Sequence, residues 1–142
     1  MSLVFKYKKI ERPPPIPPIF SPVIPVTLKS EKEQVDVIAL VDSGADTCAI
    51  PKGIAEILCL DLSGEVKPIL GVGGEGKSVT SKMTVIIQHR HEKYMIPVEV
   101  KVILDSHDKF PVILGRKNFF EYFEITFKEA EKKIVLKKVY RK

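Results

Sequence analysis

The sequence holds few of the residues that bring a chemistry of their own. Its two cysteines, Cys48 and Cys59, are too few for a disulfide framework or a four-ligand zinc site. A single intrachain bridge stays open, because hyperthermophile cytosols tolerate disulfides. One asparagine and two glutamines beside many Lys and Glu match the composition of such sources. None of the three histidines completes a Ser/His/Asp arrangement. His89 and His91 have the i, i+2 spacing of some metal ligands, but no third ligand accompanies them, so they read as exposed turn residues and no metal is expected. There is no run of about 18 apolar residues to span a membrane. The segment Met1–Arg12 alternates bulky and basic residues with no stretch of signal-peptide length. The cytoplasm is therefore the expected location.

What is present is enough for one packed domain: 142 residues, 44% of them hydrophobic. Seven of the eleven prolines lie between Pro13 and Pro25. Proline fixes φ and lacks an N–H, so this stretch reads as polyproline-like extended chain, excluded from a central strand or a helix interior. The division expected is a basic and proline-rich arm over 1–25 and a folded domain over 26–142. The formal charge of +5 is matched by residues 128–142 alone, with seven basic side chains against two acidic ones. Such a tail reads first as a solvated strand or helix face; an electrostatic footprint for nucleic acid is the alternative.

Along the domain, short β-branched runs alternate with turn signals. Val35–Val41 reads as a buried strand ending at Asp42-Ser43-Gly44, and Thr47–Ile50 resumes the apolar chain. Pro51 opens a short helix to about Leu58. Val66–Leu70 is a further strand, followed by four glycines in Gly71–Gly76. Val79–Gln88 and Met95–Leu104 form a long hairpin about the turn His89–Lys93. Val112–Leu114 is a short buried strand, and Arg116–Phe123 has helical spacing of aromatics. Phe119, Phe120, Tyr122 and Phe123 read as core packing rather than a base-stacking platform. Two last strands, about Glu124–Phe127 and Ile134–Val139, flank Lys128–Lys133. The sum is a mostly β chain with one or two short helices, in a closed or folded-over sheet.

One constellation carries chemistry. Asp42 stands directly after a fully apolar strand, in Asp42-Ser43-Gly44-Ala45-Asp46-Thr47. An isolated Asp-Ser-Gly is an ordinary turn. Here it precedes a glycine-rich hairpin by some 30 residues, and then Val112-Ile113-Leu114-Gly115-Arg116 follows. These three motifs, in this order, resemble the retropepsins, the single-domain aspartic proteases of retroviruses and their cellular relatives. The resemblance spans roughly Val35 to Val139. It implies a small closed β domain acting as a twofold homodimer, hydrolysing polypeptides without a cofactor. It implies that Asp42 is catalytic and that Ser43, Gly44, Thr47 and Arg116 support the loop, with Arg116 pairing Asp46. Ala45, Asp46, Gly73 and Gly74 would bind the substrate main chain, the glycines at the tip of a flap over Gly71–Ser78. The chemistry needs two carboxylates sharing a proton, one as general base and one as general acid. A chain with one such loop obtains the second from a partner copy. This sequence departs from the family's pattern where Lys117 separates Arg116 from Asn118, and where Glu75 and Lys77 occupy the flap.

Two rival readings compete with this one. Gly71-Val-Gly-Gly-Glu-Gly76-Lys77-Ser78 matches a nucleotide-binding P-loop literally, and Val102-Ile-Leu-Asp105 mimics its metal-binding partner strand. That mechanism requires a helix to open at Lys77, whereas the residues that follow favour strand. The other rival is a non-catalytic dimeric module binding peptides, or nucleic acid through residues 128–142.

Overall fold

The computed structural model describes residues 2–71, 74–106 and 110–139. Twelve strands run through these residues: β1 (Ser2–Lys6), β2 (Lys8–Ile10), β3 (Ile19–Ser21), β4 (Val23–Lys29), β5 (Gln34–Val41), β6 (Cys48–Pro51), β7 (Lys67–Gly71), β8 (Gly74–His89), β9 (Glu92–Ile103), β10 (Val112–Leu114), β11 (Phe123–Lys128) and β12 (Lys133–Lys138). The remaining elements among the described residues are two short helical segments, α1 (Lys52–Ile57) and the kinked α2 (Arg116–Phe120), and one helical turn at Glu129–Glu131.

The period-two patterns close on themselves. The order β4-β5-β10-β6-β9-β8 returns to β4 through Thr27↔Ile86 to Lys29↔Thr84, making a six-stranded ring with β7 added beyond β8. In β4 the inward side chains are Ile24, Val26 and Leu28; in β5, Ala39 and Val41; in β9, Ile96, Val98, Val100 and Val102. Each fully buried aliphatic side chain contributes roughly 1.5–3 kcal/mol of transfer free energy. The mostly β fold with two short helices agrees with the sequence expectation, and so does the helix after Pro51, which stands as the N-cap of α1.

Three expectations need correction. The proline-rich stretch does enter a strand: Val23, Ile24 and Pro25 open β4, so the boundary drawn at residue 25 falls inside it. Pro25 pairs with Ile38 on one side, and β8 joins the other side of β4 only from Thr27 onward. Pro97 in β9 likewise precedes the pairing of that strand with β6, which begins at Val100. Both prolines thus sit where no neighbouring strand needs their N–H. Second, residues 2–6 form β1, paired to β12 from Ser2↔Lys137 to Lys6↔Lys133, and Leu3, Phe5 and Tyr7 enter the core beside Ile134 and Leu136. Third, Arg116–Phe123 is not one helix. Lys117 is extended and Asn118 has φ +69, so the chain kinks before Phe119 and Phe123, which pack at 5.5 Å in the core.

Candidate active site

The loop after β5 is held by the short strand β10. Parallel pairing of Ala39↔Val112 through Val41↔Leu114 brings the ends of both strands together. The Asp42 N–H then donates to the Leu114 carbonyl at 3.0 Å. Beyond it, the Ala45 N–H donates to the Asp42 carbonyl at 3.2 Å, closing the turn. The Gly44 N–H donates to Asp42 Oδ1 at 2.9 Å. A Cβ on Gly44 would meet that same oxygen at 3.2 Å. Glycine there keeps a side chain from crowding the carboxylate. Asp42 is half-buried, and Ser43 and Gly44 are exposed.

The second half of the loop is clasped from Gly115. The Arg116 N–H donates to the Ala45 carbonyl at 2.9 Å and the Lys117 N–H to the Asp46 carbonyl at 2.8 Å. The Arg116 guanidinium also forms an ion pair with the Asp46 carboxylate. Both side chains are mostly exposed, so the pair orients the loop more than it stabilises the fold. Gly115 lets the two segments touch, since a Cβ there would lie 2.3 Å from the Thr47 carbonyl oxygen. The residue types singled out in the sequence, Asp42, Ser43, Gly44, Ala45, Asp46, Thr47 and Arg116, therefore share one compact assembly.

The glycine-rich segment belongs to a different element. β7 and β8 pair from Lys67↔Ser78 to Gly71↔Gly74, and Gly74 has φ +106, a conformation glycine takes readily. Gly73 lies outside the described residues. Lys77 sits within β8, its N–H donating to Asp105 Oδ1 at 3.2 Å, and Ser78 is buried. A strand at this position has no helix N-terminus to cradle phosphate, so the P-loop reading fails on geometry. Asp105 anchors the hairpin base instead, and Gly76 leaves room for its carboxylate, which a Cβ would approach to 3.2 Å.

Several contacts escaped the sequence reading. The extra Lys117 pairs with Glu99, and this hydrogen bond holds the Glu99 carboxyl below the usual carboxylate range and the Lys117 ammonium above its own. Asn118 then accepts the Glu99 N–H at 2.9 Å, so the departure from the family's spacing is absorbed as a kink tied to β9. Cys48 is buried, which pushes its thiol up, and Cys59 is exposed; both are free rather than bridged. His89 packs on Phe5 at 4.9 Å, and no group of three metal-binding side chains occurs among the described residues. In the basic C-terminal segment, Lys128 and Lys132 pair with Glu131 and Glu129, and Lys138 lies 4.0 Å over the Tyr122 ring. Among the described residues no helix is long and apolar enough to cross a membrane.

A closed ring with an Asp-Ser-Gly loop clasped by Gly-Arg, and a separate glycine-rich hairpin, is the retropepsin-like arrangement, and the fold is retropepsin-like. Among solved structures the chain is similar to a retropepsin-like aspartic protease from Rickettsia conorii, with a TM-score of 0.61 and 18% identity over 96% of this chain and 90% of that one. A weaker likeness is to the EIAV protease complexed with an inhibitor (TM-score 0.48, 24% identity, 68% of this chain and 82% of that one). No family model matches the sequence, and no curated protein does.

Proposed function

We propose that this chain is a homodimeric aspartic endopeptidase of the cytoplasm, with Asp42 of each subunit forming the catalytic pair. The observation that carries this reading is the state of the loop. Asp42 is half-buried, its carboxylate oriented by the Gly44 N–H, at the exposed end of a barrel strand. The other carboxylate of the loop, Asp46, is engaged by Arg116. One such loop supplies one catalytic carboxylate, and peptide hydrolysis by this route needs two. A second copy about a twofold axis supplies the other. The pair then shares a proton, because like charges so close cannot both ionise. One carboxylate takes a proton from the attacking water while the other protonates the carbonyl oxygen of the substrate.

The remaining roles are those that the resemblance implies. Ser43, exposed next to Asp42, braces the partner's loop, and Gly44 and Thr47 keep the turn tight. Ala45 and Asp46 bind the main chain of an extended substrate, with Arg116 holding Asp46 in place. The β7–β8 hairpin, which carries Gly74, is the flap that closes over the peptide and excludes water, with Gly74 and Gly73 assigned to the substrate main chain. The Rickettsia conorii protein supports the reading through its fold; the loop chemistry is argued from this chain's own residues. A nucleic-acid module finds less support, since Lys128, Lys132 and Lys138 have partners within the chain.

The test compares cleavage of an unfolded protein by wild type and Asp42→Asn across pH 3–8, with the mass of each in solution. Cleavage by wild type alone, in an acid-shifted window and by a dimer, is expected. Equal cleavage by both, or none by either with both folded as dimers, would remove the protease reading.

A further inference from the structure

Residues 11–20 are all exposed, and three large apolar side chains stand among them: Ile16, Ile19 and Phe20, at 49%, 38% and 51% of full exposure. They belong to the β2–β3 hairpin, which pairs Lys8↔Ser21 through Ile10↔Ile19 and, among the described residues, has its main packing within itself and at most slight contact with any other element. A lone two-stranded ribbon is marginal in water. This one is stiffened by Pro13, Pro14, Pro15, Pro17 and Pro18 in its loop. A stiff segment has little conformational freedom left to lose on docking, which favours binding.

The base of the hairpin points to its occupant. The Pro22 carbonyl accepts the Val41 N–H at 3.1 Å, one residue before Asp42. Arm and candidate catalytic loop therefore leave the barrel side by side. Whatever copy presents a second Asp42 to the first also comes within reach of the arm. Eight residues, Pro14–Ser21, span up to roughly 25 Å at about 3.3 Å each, whereas a domain of this length has a radius of gyration near 15 Å. The terminal strands are occupied within one subunit, because β12 has β1 on one edge and β11 on the other. Exchange of strands at β12 would break existing ladders; docking of the arm breaks none.

We propose that the β2–β3 arm grips a second copy of this chain across the twofold axis, burying Ile16, Ile19 and Phe20 against the partner's barrel. This rests on the dimeric reading above and assigns the contact that secures it. The arm is then a specific dimerisation device, separable from the chemistry at Asp42.

The experiment measures the dimer dissociation constant of the full chain by sedimentation, for wild type, Phe20→Ser and Ile16→Ser/Phe20→Ser. Exposed hot-spot aromatics at interfaces commonly carry a tenfold effect or more. The expected result is about a tenfold rise for the single variant and a larger one for the double, with an unchanged melting temperature of the monomer. Cleavage should fall at dilute protein and recover at high concentration. Unchanged dissociation in both variants overturns the arm and leaves the dimeric protease standing, with the arm facing some other partner. A wild type that is monomeric at all concentrations overturns both readings.

Discussion

Replacing Gly115 with alanine adds one methyl group where the candidate loop leaves no space. Gly115 has φ −106 and ψ −173, extended backbone that any residue adopts, so alanine meets no conformational penalty there. The obstacle is contact alone. The new Cβ would stand 2.3 Å from the Thr47 carbonyl oxygen, 2.5 Å from its carbon and 2.9 Å from the Ala45 carbonyl oxygen. All three are backbone atoms, which cannot rotate away as a side chain would. Overpacking a filled site costs typically about 1–3 kcal/mol, and backbone on both sides places this case at the upper end. Pushing the loop outward also strains the Arg116–Ala45 and Lys117–Asp46 backbone hydrogen bonds, each worth about 1 kcal/mol. The sum, roughly 3–5 kcal/mol, is a large share of the ~5–15 kcal/mol that holds a domain together. It corresponds to a fall in Tm of about 10–15 °C for a chain of this size. Thermal unfolding and urea titration measure it. Gly53→Ala is the matched control: this glycine lies in α1 with nothing within 4 Å of the added Cβ, so a gain of roughly 0.5–1 kcal/mol is expected. A Gly115→Ala protein that melts within about 3 °C of wild type would refute the argument that contact at Gly115 clasps the loop.

Three further outcomes are expected. Asp105→Ala removes the acceptor of the Lys77 N–H, so hydrogen exchange over residues 74–78 should quicken while the barrel strands keep their protection; unchanged exchange would show that the carboxylate is no anchor. The Glu99 carboxyl is held low by Lys117, so the pair stabilises the fold above the ordinary carboxylate range and this contribution is lost as pH falls through the lowered value. Lys117→Met should therefore shrink the drop in Tm between pH 6 and pH 2, and an identical drop in both proteins would contradict the pairing. With native protein, a thiol reagent should modify Cys59 quickly and Cys48 only on unfolding; equal rates would place Cys48 outside the core.

The elements that the sequence revealed are those whose signal is local. Val35–Val41 stops at Asp42 because an apolar β-branched run meets a turn triplet. The long β8–β9 hairpin follows from alternation on either side of a polar turn. Ring closure is not local: Thr27 meets Ile86 and Ala39 meets Val112, and nothing in either segment alone specifies the other. Pro25 shows the same limit from the opposite side. Proline is excluded from a central strand only where its missing N–H is needed, and whether a neighbour needs that N–H depends on where β8 begins to pair. The candidate loop was legible to its residue types, while the reasons for them were only partly so. Gly44 spares the Asp42 carboxylate a tight contact, and Gly115 is required by two carbonyl groups from Ala45 and Thr47. Lys117 looked like a disruption of the motif, but an insertion disturbs a loop only if nothing absorbs it, and the kink at Asn118 with its bond to β9 does so. In sequence the arm reads as proline-rich and extended, able either to dock along the domain surface or to mediate a contact. The choice between these depends on which side chains remain exposed after folding, and for Phe20 and Ile16 only the folded chain decides that.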